Sequence, residues 1–263
     1  MRVFCVCCLL AFPVSAQFAP DQMLKPYAYT NGAGEVFTCR VSVPEYPEAG
    51  KKYPLILFLH ASGEFGTDNM KQIKVGVPAL LKSLLKQPEP VIILAPQCPP
   101  GTGWVTKLAW TSDYVATKDP APPLEVALEL CRHLVEAKQA DPDRLYITGM
   151  SGGGFGTWDA IQRNPKMFAA AVPICGSGDT HQLRAIKSMP IWAFHGRDDK
   201  QVSVDGSRRM VQKLKAAGAK KVLYTEYESG GHTIWDRAYS DMKMIEWMLA
   251  QRRVKDAWWK FWL

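Results

Sequence analysis

The sequence lacks several features that would assign it to a common functional class. After its first seventeen residues, no uninterrupted apolar run approaches the ~18 residues of a membrane helix, so we expect no transmembrane segment. Its 32 lysines and arginines are scattered, without the dense basic run that is typical of nucleic-acid binding. Cysteine and histidine form no zinc-spaced cluster, and the glycine-rich stretches fit neither G-K-[ST] nor G-x-G-x-x-G. We therefore predict no nucleic-acid partner, no metal site and no phosphate-binding loop.

The first residues, MRVFCVCCLLAFPVSAQ, are typical of a secretory signal peptide. They contain Arg2 as the only charge, then an apolar run, then the small residues Val14 and Ala16 where signal peptidase accepts them. We predict a signal peptide over residues 1–16 and a secreted or periplasmic mature chain of residues 17–263. The alternative interpretation is a buried N-terminal strand.

Four cysteines remain after the predicted cleavage, and they could pair in three ways in an oxidising compartment. Cys131 shares a helical apolar stripe with Leu124 and Leu128, whereas Cys39 alternates in step with Phe37. Both settings favour buried free thiols over disulfides. The four cysteines are Cys39, Cys98, Cys131 and Cys175.

The C-terminal segment 251–263, QRRVKDAWWKFWL, is basic and rich in aromatic residues. Trp258, Phe261 and Trp262 are spaced i, i+3, i+4, so they would share one face of a helix. This face predicts packing on the body of the protein or self-association with a second copy, in preference to docking on a membrane surface or a polymer.

Apolar runs of strand character alternate with helix-periodic segments along most of the chain. The run 37–43 alternates as a half-exposed antiparallel strand does. Continuous apolar runs, typical of strands buried on both faces, occupy 54–60, 90–96, 144–150, 169–175 and 190–196. Helical periodicity lies between them, over 77–85, 124–138, 156–163 and 207–217. The pattern predicts an α/β protein: one domain with a doubly wound, mostly parallel sheet and helices on both faces.

The stretch ITGMSGGGFGTW holds Ser151 at the centre of the pattern G-x-S-x-G, residues 149–153. In this pattern a tight turn from strand to helix exposes a serine hydroxyl as a nucleophile, and the glycines allow neighbouring chain to pass. A buried strand is predicted before the pattern and a helix after it. This context favours a nucleophile over a flexible connection.

A serine hydroxyl needs a base to take its proton and an acid to orient that base, in the chain order Ser, acid, His for this architecture. Only His232 follows every plausible acid, and it lies in the glycine-rich loop SGGHTIW. We predict Asp199 as the acid, because H-G-x-x-D places it just after a strand, with Asp198 as a solvated neighbour or a helix cap. Asp179 is the alternative acid.

The oxyanion of a tetrahedral intermediate requires two N–H donors. We predict the amides of Gly152, directly after the nucleophile, and of Ser62, in the loop LFLHASGEFGTDN. Trp104 and Trp235 are candidates for the substrate site, with core packing as the alternative for each. We expect His60 and His195, at strand ends, to brace the site.

These segments, together with VIILAPQCPPGTGW, WAFHGRDDKQVSVDGSRR and YTEYESGGHTIWDRAYSD, resemble the secreted α/β-hydrolases of the esterase/predicted-peptidase group related to feruloyl esterases and polyhydroxybutyrate depolymerases. The resemblance spans about residues 30–250. It implies a single α/β-hydrolase domain without metal or organic cofactor and the triad Ser151, Asp199 and His232. The chain departs from the group's pattern at Ala61, where glycine is common, and at Gly152, where methionine is common.

The expected activity is that of a secreted serine carboxylesterase. By family analogy its substrate is a small-molecule or polysaccharide-linked ester, such as a feruloyl or acetyl ester of plant cell-wall polysaccharide. The alternatives are a serine peptidase with the same triad, a polyester depolymerase, and a non-catalytic polymer-binding protein.

Overall fold

A computed structural model describes residues 19–30, 34, 36–42, 44, 47–106 and 114–253. The predicted signal peptide lies outside the described residues, and so do residues 254–263 of the C-terminal segment. Cleavage after residue 16 and self-association through the 251–263 segment therefore stay predictions.

Within the described residues, eight strands form a single sheet. They are β1 Lys25–Thr30, β2 Val36–Val41, β3 Tyr53–Leu59, β4 Ile92–Pro96, β5 Ala140–Met150, β6 Ala170–Ile174, β7 Ile191–Gly196 and β8 Val222–Tyr227. The α-helices are α1 Pro20–Met23, α2 Val77–Leu84, α3 Pro122–Glu136, α4 Gly152–Arg163, α5 Val204–Ala216, α6 Trp235–Tyr239 and α7 Met242–Ala250.

The strand order across the sheet is β1-β2-β4-β3-β5-β6-β7-β8. β1 and β2 pair antiparallel, β2 pairs antiparallel with β4, and all the other neighbours are parallel. The carboxyl ends of the parallel strands consequently meet at one edge, where ligands bind in open α/β sheets. The doubly wound, mostly parallel sheet predicted from the apolar runs is confirmed.

The predicted strands and helices are present with shifted ends. α4 begins at Gly152, four residues before the predicted helix. The additional residues include Gly152, Gly153 and Gly154, which form the first turn of the helix directly after Ser151. The edge strand β1 and the helices α1, α6 and α7 were not predicted. β1 is mostly exposed, so it lacks the apolar run by which the inner strands are recognised.

Two apolar layers cover the two faces of the sheet. Alternate residues of β3 point to opposite layers, Leu55 and Leu57 to one and Ile56 and Phe58 to the other. The first layer is completed by residues of α3, α4 and α5, and the second by residues of α2, α6 and α7. Among the described residues, no helix has both the length and the apolar character needed to cross a membrane.

The four cysteines of the predicted mature chain are buried free thiols, as their apolar settings predict. Burial raises the pKa of the Cys39 thiol to about 12, which keeps it protonated and unreactive.

Candidate active site

Ser151 lies on the turn between the end of β5 and the start of α4. Its backbone has φ 53° and ψ −118°, outside both the right-handed and the left-handed helical regions. The glycines on either side are required by packing: a Cβ on Gly153 would lie 2.0 Å from the Leu59 carbonyl oxygen, and one on Gly149 would lie 2.3 Å from the Gly153 oxygen. The strained serine is therefore held by close backbone contacts on both sides.

His232 lies in the loop that follows β8, after Gly230 and Gly231, which have φ 124° and 58°. Its Nε2 is 2.8 Å from Ser151 Oγ, and its Nδ1 is 2.7 Å from Asp199 Oδ2. Because the carboxylate is an acceptor, Nδ1 carries the proton and Nε2 is left to accept from the serine hydroxyl. The three predicted triad residues thus form one continuous chain of hydrogen bonds.

Asp199 accepts hydrogen bonds on both carboxylate oxygens. Oδ1 accepts from the amides of Gln201 and Val202 at 2.8 and 2.9 Å, whereas Oδ2 faces His232 and, at 3.2 Å, His195 Nε2. Burial by itself raises the pKa of this carboxyl, but the hydrogen bonds from the two histidines and two amides outweigh it and hold the pKa well below its usual value. Asp199 is therefore ionised throughout the neutral range.

The two other candidate carboxylates have different surroundings. The exposed Asp198 accepts a hydrogen bond from the amide of Gly231 at 2.8 Å, so it anchors the loop that carries His232. The cap of the following helix is Ser203, not Asp198, so the interpretation of Asp198 as a helix cap is wrong. Asp179 instead accepts from the amides of Ala116 and His181 and faces the His181 ring.

His195 and Cys175 support the far side of the triad. The Nδ1 atom of His195 is 2.8 Å from Ser207 Oγ, and Cys175 Sγ lies 3.5 Å from the His232 carbonyl oxygen. Burial raises the pKa of Cys175, so its thiol stays protonated and donates to that carbonyl. The ligand atoms of Cys175, His195 and Asp199 lie within 4.8 Å of one another, a spacing that also suits a metal ion. Their hydrogen bonds to the triad and its surroundings account for this grouping.

The predicted oxyanion donors lie side by side. Gly152 is the first residue of α4, and a Cβ on it would lie 3.5 Å from the Ser62 nitrogen. Ser62 begins a short 3₁₀ turn, Ser62–Glu64, so both amides belong to the first positions of a helical turn, where N–H groups lack an intrahelical acceptor. The positive end of the α4 dipole adds to the attraction for a developing oxyanion.

His60 fixes the loop that carries Ser62. Its Nε2 accepts from the Cys98 amide at 2.9 Å, so Nδ1 carries the proton and donates to the Ala61 oxygen at 2.7 Å. Burial lowers the pKa of His60 to about 4, which keeps the ring neutral. The indole N–H of Trp104 donates to the His60 carbonyl oxygen at 2.9 Å, which ties the loop after β4 to the loop after β3.

A pocket of about 430 Å³ opens beside Gly152. It is lined mainly by apolar groups and includes Ser62, Phe65, Trp104, Val105, Ala121, Pro122 and Pro123. Trp104 packs in the core and also lines this pocket, and its contact with a substrate stays a prediction. Trp235 lies in the other apolar layer, with its ring edge-on to His232 at 5.5 Å, which favours the core-packing alternative.

Three features of the site were not predicted. His195 was expected only to brace the site, and its contact with the acid depends on the turn after β7, in which the Asp199 amide donates to the Gly196 oxygen. The anchor from Asp198 to the His232 loop was missed, because residues 198 and 231 are brought together only by the pairing of β7 with β8. Residues 121–123 were not named individually as lining, although the long irregular stretch 96–123 to which they belong is predicted from its length to shape an acyl pocket.

Comparisons with known proteins find relatives that are hydrolases. A family model described as the prolyl oligopeptidase family, Peptidase_S9, matches residues 123–193, less than half of the chain. A thermostable esterase of known structure is 38% identical with a TM-score of 0.79, over 88% of this chain and 64% of that one. The present chain thus spans less than two thirds of that esterase. No curated protein sequence matches the chain.

More distant structures share the fold alone. A ferulic acid esterase is 17% identical with a TM-score of 0.63, over 86% of this chain and 97% of that one. An acylaminoacyl peptidase of Pyrococcus horikoshii is 16% identical with a TM-score of 0.60, over 89% of this chain and 42% of that one. The chain therefore has the α/β-hydrolase fold.

Proposed function

We propose that this protein is a serine esterase that hydrolyses carboxylic esters through an acyl-enzyme. The observation that carries the proposal is the hydrogen-bond chain from Ser151 through His232 to Asp199, with the serine on a strained turn. The 38% identity to an esterase over most of this chain supports an ester as the substrate.

The geometry accounts for each step of ester hydrolysis. Ser151 Oγ bonds to the ester carbonyl carbon while His232 Nε2 takes the hydroxyl proton, and Asp199 stabilises the imidazolium that forms. The carbonyl oxygen becomes an oxyanion beside the amides of Gly152 and Ser62. His232 returns the proton to the departing alcohol. Water then attacks the acyl-enzyme by the same route and releases the acid.

The pocket beside Gly152 suits the acyl part of the substrate. Its lining is mainly apolar, with the aromatic residues Phe65 and Trp104, against which a phenolic ring would stack. We propose feruloyl or acetyl esters of plant cell-wall polysaccharide as substrates, with a polyester chain as the alternative. An exported enzyme, as the predicted signal peptide at 1–16 indicates, would meet such polymers outside the cell.

A panel of matched esters and amides tests the activity. Purified protein is assayed with acetyl, feruloyl and long-chain esters and with the amide of each acyl group, and Ser151→Ala is the control. We expect esters to be cleaved far faster than amides, because an amine leaves less readily than an alcohol and must be protonated as it departs. Loss of the nucleophile should leave only a small residual rate. Undiminished ester hydrolysis by Ser151→Ala would refute the proposal that Ser151 is the nucleophile of an esterase.

A serine peptidase is the second candidate, because the matching family model is that of the prolyl oligopeptidases. The match over 123–193 includes Ser151 and the turn that carries it, but it ends before Asp199 and His232. Esterases and peptidases of this fold share that turn, so the match by itself does not distinguish them. A kcat/KM for a peptide equal to that for the best ester would favour the peptidase.

A further inference from the structure

The Ser62 hydroxyl is buried beside the active site without a hydrogen-bond partner. Among the residues that the structure describes, it is one of few side-chain groups in this condition. Buried hydroxyls are ordinarily hydrogen-bonded, because losing water without a replacement acceptor is unfavourable. The O–H of Ser62 is therefore not used by another protein group, so it can donate to an acceptor that binds beside it.

The position of the hydroxyl identifies that acceptor. A Cβ on Gly152 would lie 2.6 Å from Ser62 Oγ, so the hydroxyl occupies the space directly against the residue that follows the nucleophile. Ser62 and Gly152 also line the same pocket. A substrate carbonyl whose carbon is bonded to Ser151 would place its oxygen among these groups, beside the Gly152 amide.

We propose that the Ser62 hydroxyl is a third donor to the oxyanion, in addition to the amides of Gly152 and Ser62. The inference rests on the proposed esterase activity and assigns one more catalytic group to it, the hydroxyl of a residue whose amide is already an oxyanion donor. The O–H rotates toward the carbonyl oxygen and donates as negative charge develops there, with no bond broken in Ser62. Glycine at residue 152 leaves room for the Ser62 hydroxyl, because any side chain at 152 would displace the hydroxyl from its position beside the Gly152 amide.

Removal of the hydroxyl should separate activity from stability. Ser62→Ala should lower kcat by about 10²-fold, the lower end of the loss seen when one oxyanion donor is removed. KM should change little, because the hydrogen bond strengthens mainly in the transition state. The melting temperature should not fall, because the hydroxyl has no protein partner to leave unpaired.

Ser42→Ala is the matched control. Ser42 Oγ is also buried, but it accepts a hydrogen bond from the Ile93 amide at 2.8 Å, between β2 and β4. Its removal leaves that amide without the acceptor, so the melting temperature should fall while kcat stays at the wild-type value. The two serine-to-alanine variants should therefore show opposite patterns.

A double-mutant cycle tests whether Ser62 and Gly152 act through the same hydroxyl. Gly152→Ala keeps the backbone amide but drives the Ser62 hydroxyl away, so it should lower kcat by an amount similar to Ser62→Ala. In the Ser62→Ala background the same change should add little, because the next atoms of Ser62 are 3.5 and 3.8 Å from the new Cβ.

These measurements are made on the purified protein with its best ester, together with fluorophosphonate labelling and the Ser151→Ala variant. If wild type neither hydrolyses an ester nor is labelled, the proposed function fails. If wild type is active, the inference about Ser62 is overturned when Ser62→Ala has a kcat within twofold of wild type, a change in KM alone, or a lower melting temperature. It is also overturned when the losses in kcat of Ser62→Ala and Gly152→Ala are additive in the double variant. The expected drop in kcat with non-additive coupling supports it.

Discussion

Replacement of the nucleophile by glycine should make the protein more stable than replacement by alanine. Both variants lose the hydroxyl and its hydrogen bond to His232, so they differ only in the Cβ at residue 151. At φ 53° and ψ −118° a Cβ is strained, whereas glycine adopts such angles readily. Comparing Ser151→Gly with Ser151→Ala therefore isolates the backbone strain stored at the active site.

The magnitude follows from two opposing terms. Backbone strain of this kind costs about 1–3 kcal/mol, and the additional flexibility of an unfolded glycine costs about 0.5–1 kcal/mol. The free energy of unfolding should therefore be higher for Ser151→Gly than for Ser151→Ala by about 1 kcal/mol. In a chain of this size that difference raises the melting temperature by about 2–4 °C.

Urea and thermal denaturation of the two variants provide the assay, with Gln212 as the control position. Gln212 is exposed in the interior of α5, so Gln212→Gly should be less stable than Gln212→Ala by about 1 kcal/mol, the ordinary order for a helix. The order of glycine and alanine should thus reverse between the two positions. If Ser151→Gly is the less stable variant at residue 151, the turn stores no strain and the reasoning is wrong.

Three further predictions concern the acid, its charge and the N-terminus. Asp199→Asn should lower kcat by orders of magnitude, because a neutral amide no longer stabilises the imidazolium. Asp198→Asn should have little effect on kcat, since it keeps an oxygen for the Gly231 amide. Steady-state kinetics of both variants test this, and the reverse order of the two effects would contradict it. The pKa of Asp199 is lowered in the folded protein, so its ionised form stabilises the fold above the usual carboxyl value of 3.8, and this stabilisation is lost as the pH falls through the folded pKa. Urea titrations should accordingly show the stability advantage of wild type over Asp199→Asn shrinking below about pH 4, and a constant advantage down to pH 2 would argue against the ionised form as its source. Finally, protein recovered from a secreting host should begin near Gln17, and N-terminal sequencing that finds Met1 on the soluble product would contradict the predicted export.

Local sequence was sufficient to predict the inner strands of the sheet and the main catalytic candidates. A strand buried on both faces must be apolar along its whole length, so the runs that became β3 to β7 are visible without knowledge of their neighbours. Parallel strands place their carboxyl ends at one edge, so residues that follow separate strands can be expected to meet. On this basis Ser151, Asp199 and His232 could be chosen from residue type, order and loop composition.

Only the tertiary structure distinguished between residues with equivalent local patterns. Asp179 and Asp199 both follow a parallel strand, and only the path of the loop after β8 brings His232 to Asp199. Trp104, in the loop after β4, and Trp235, the first residue of α6, both lie near the site, yet they pack on opposite faces of the sheet. The unpaired state of the Ser62 hydroxyl is likewise invisible in sequence, because it depends on every neighbouring donor and acceptor. The periodicity of apolar residues in the sequence indicates which face of a helix or strand is buried. Whether two polar atoms of separate loops come within 3 Å to form a hydrogen bond depends on how those loops pack together.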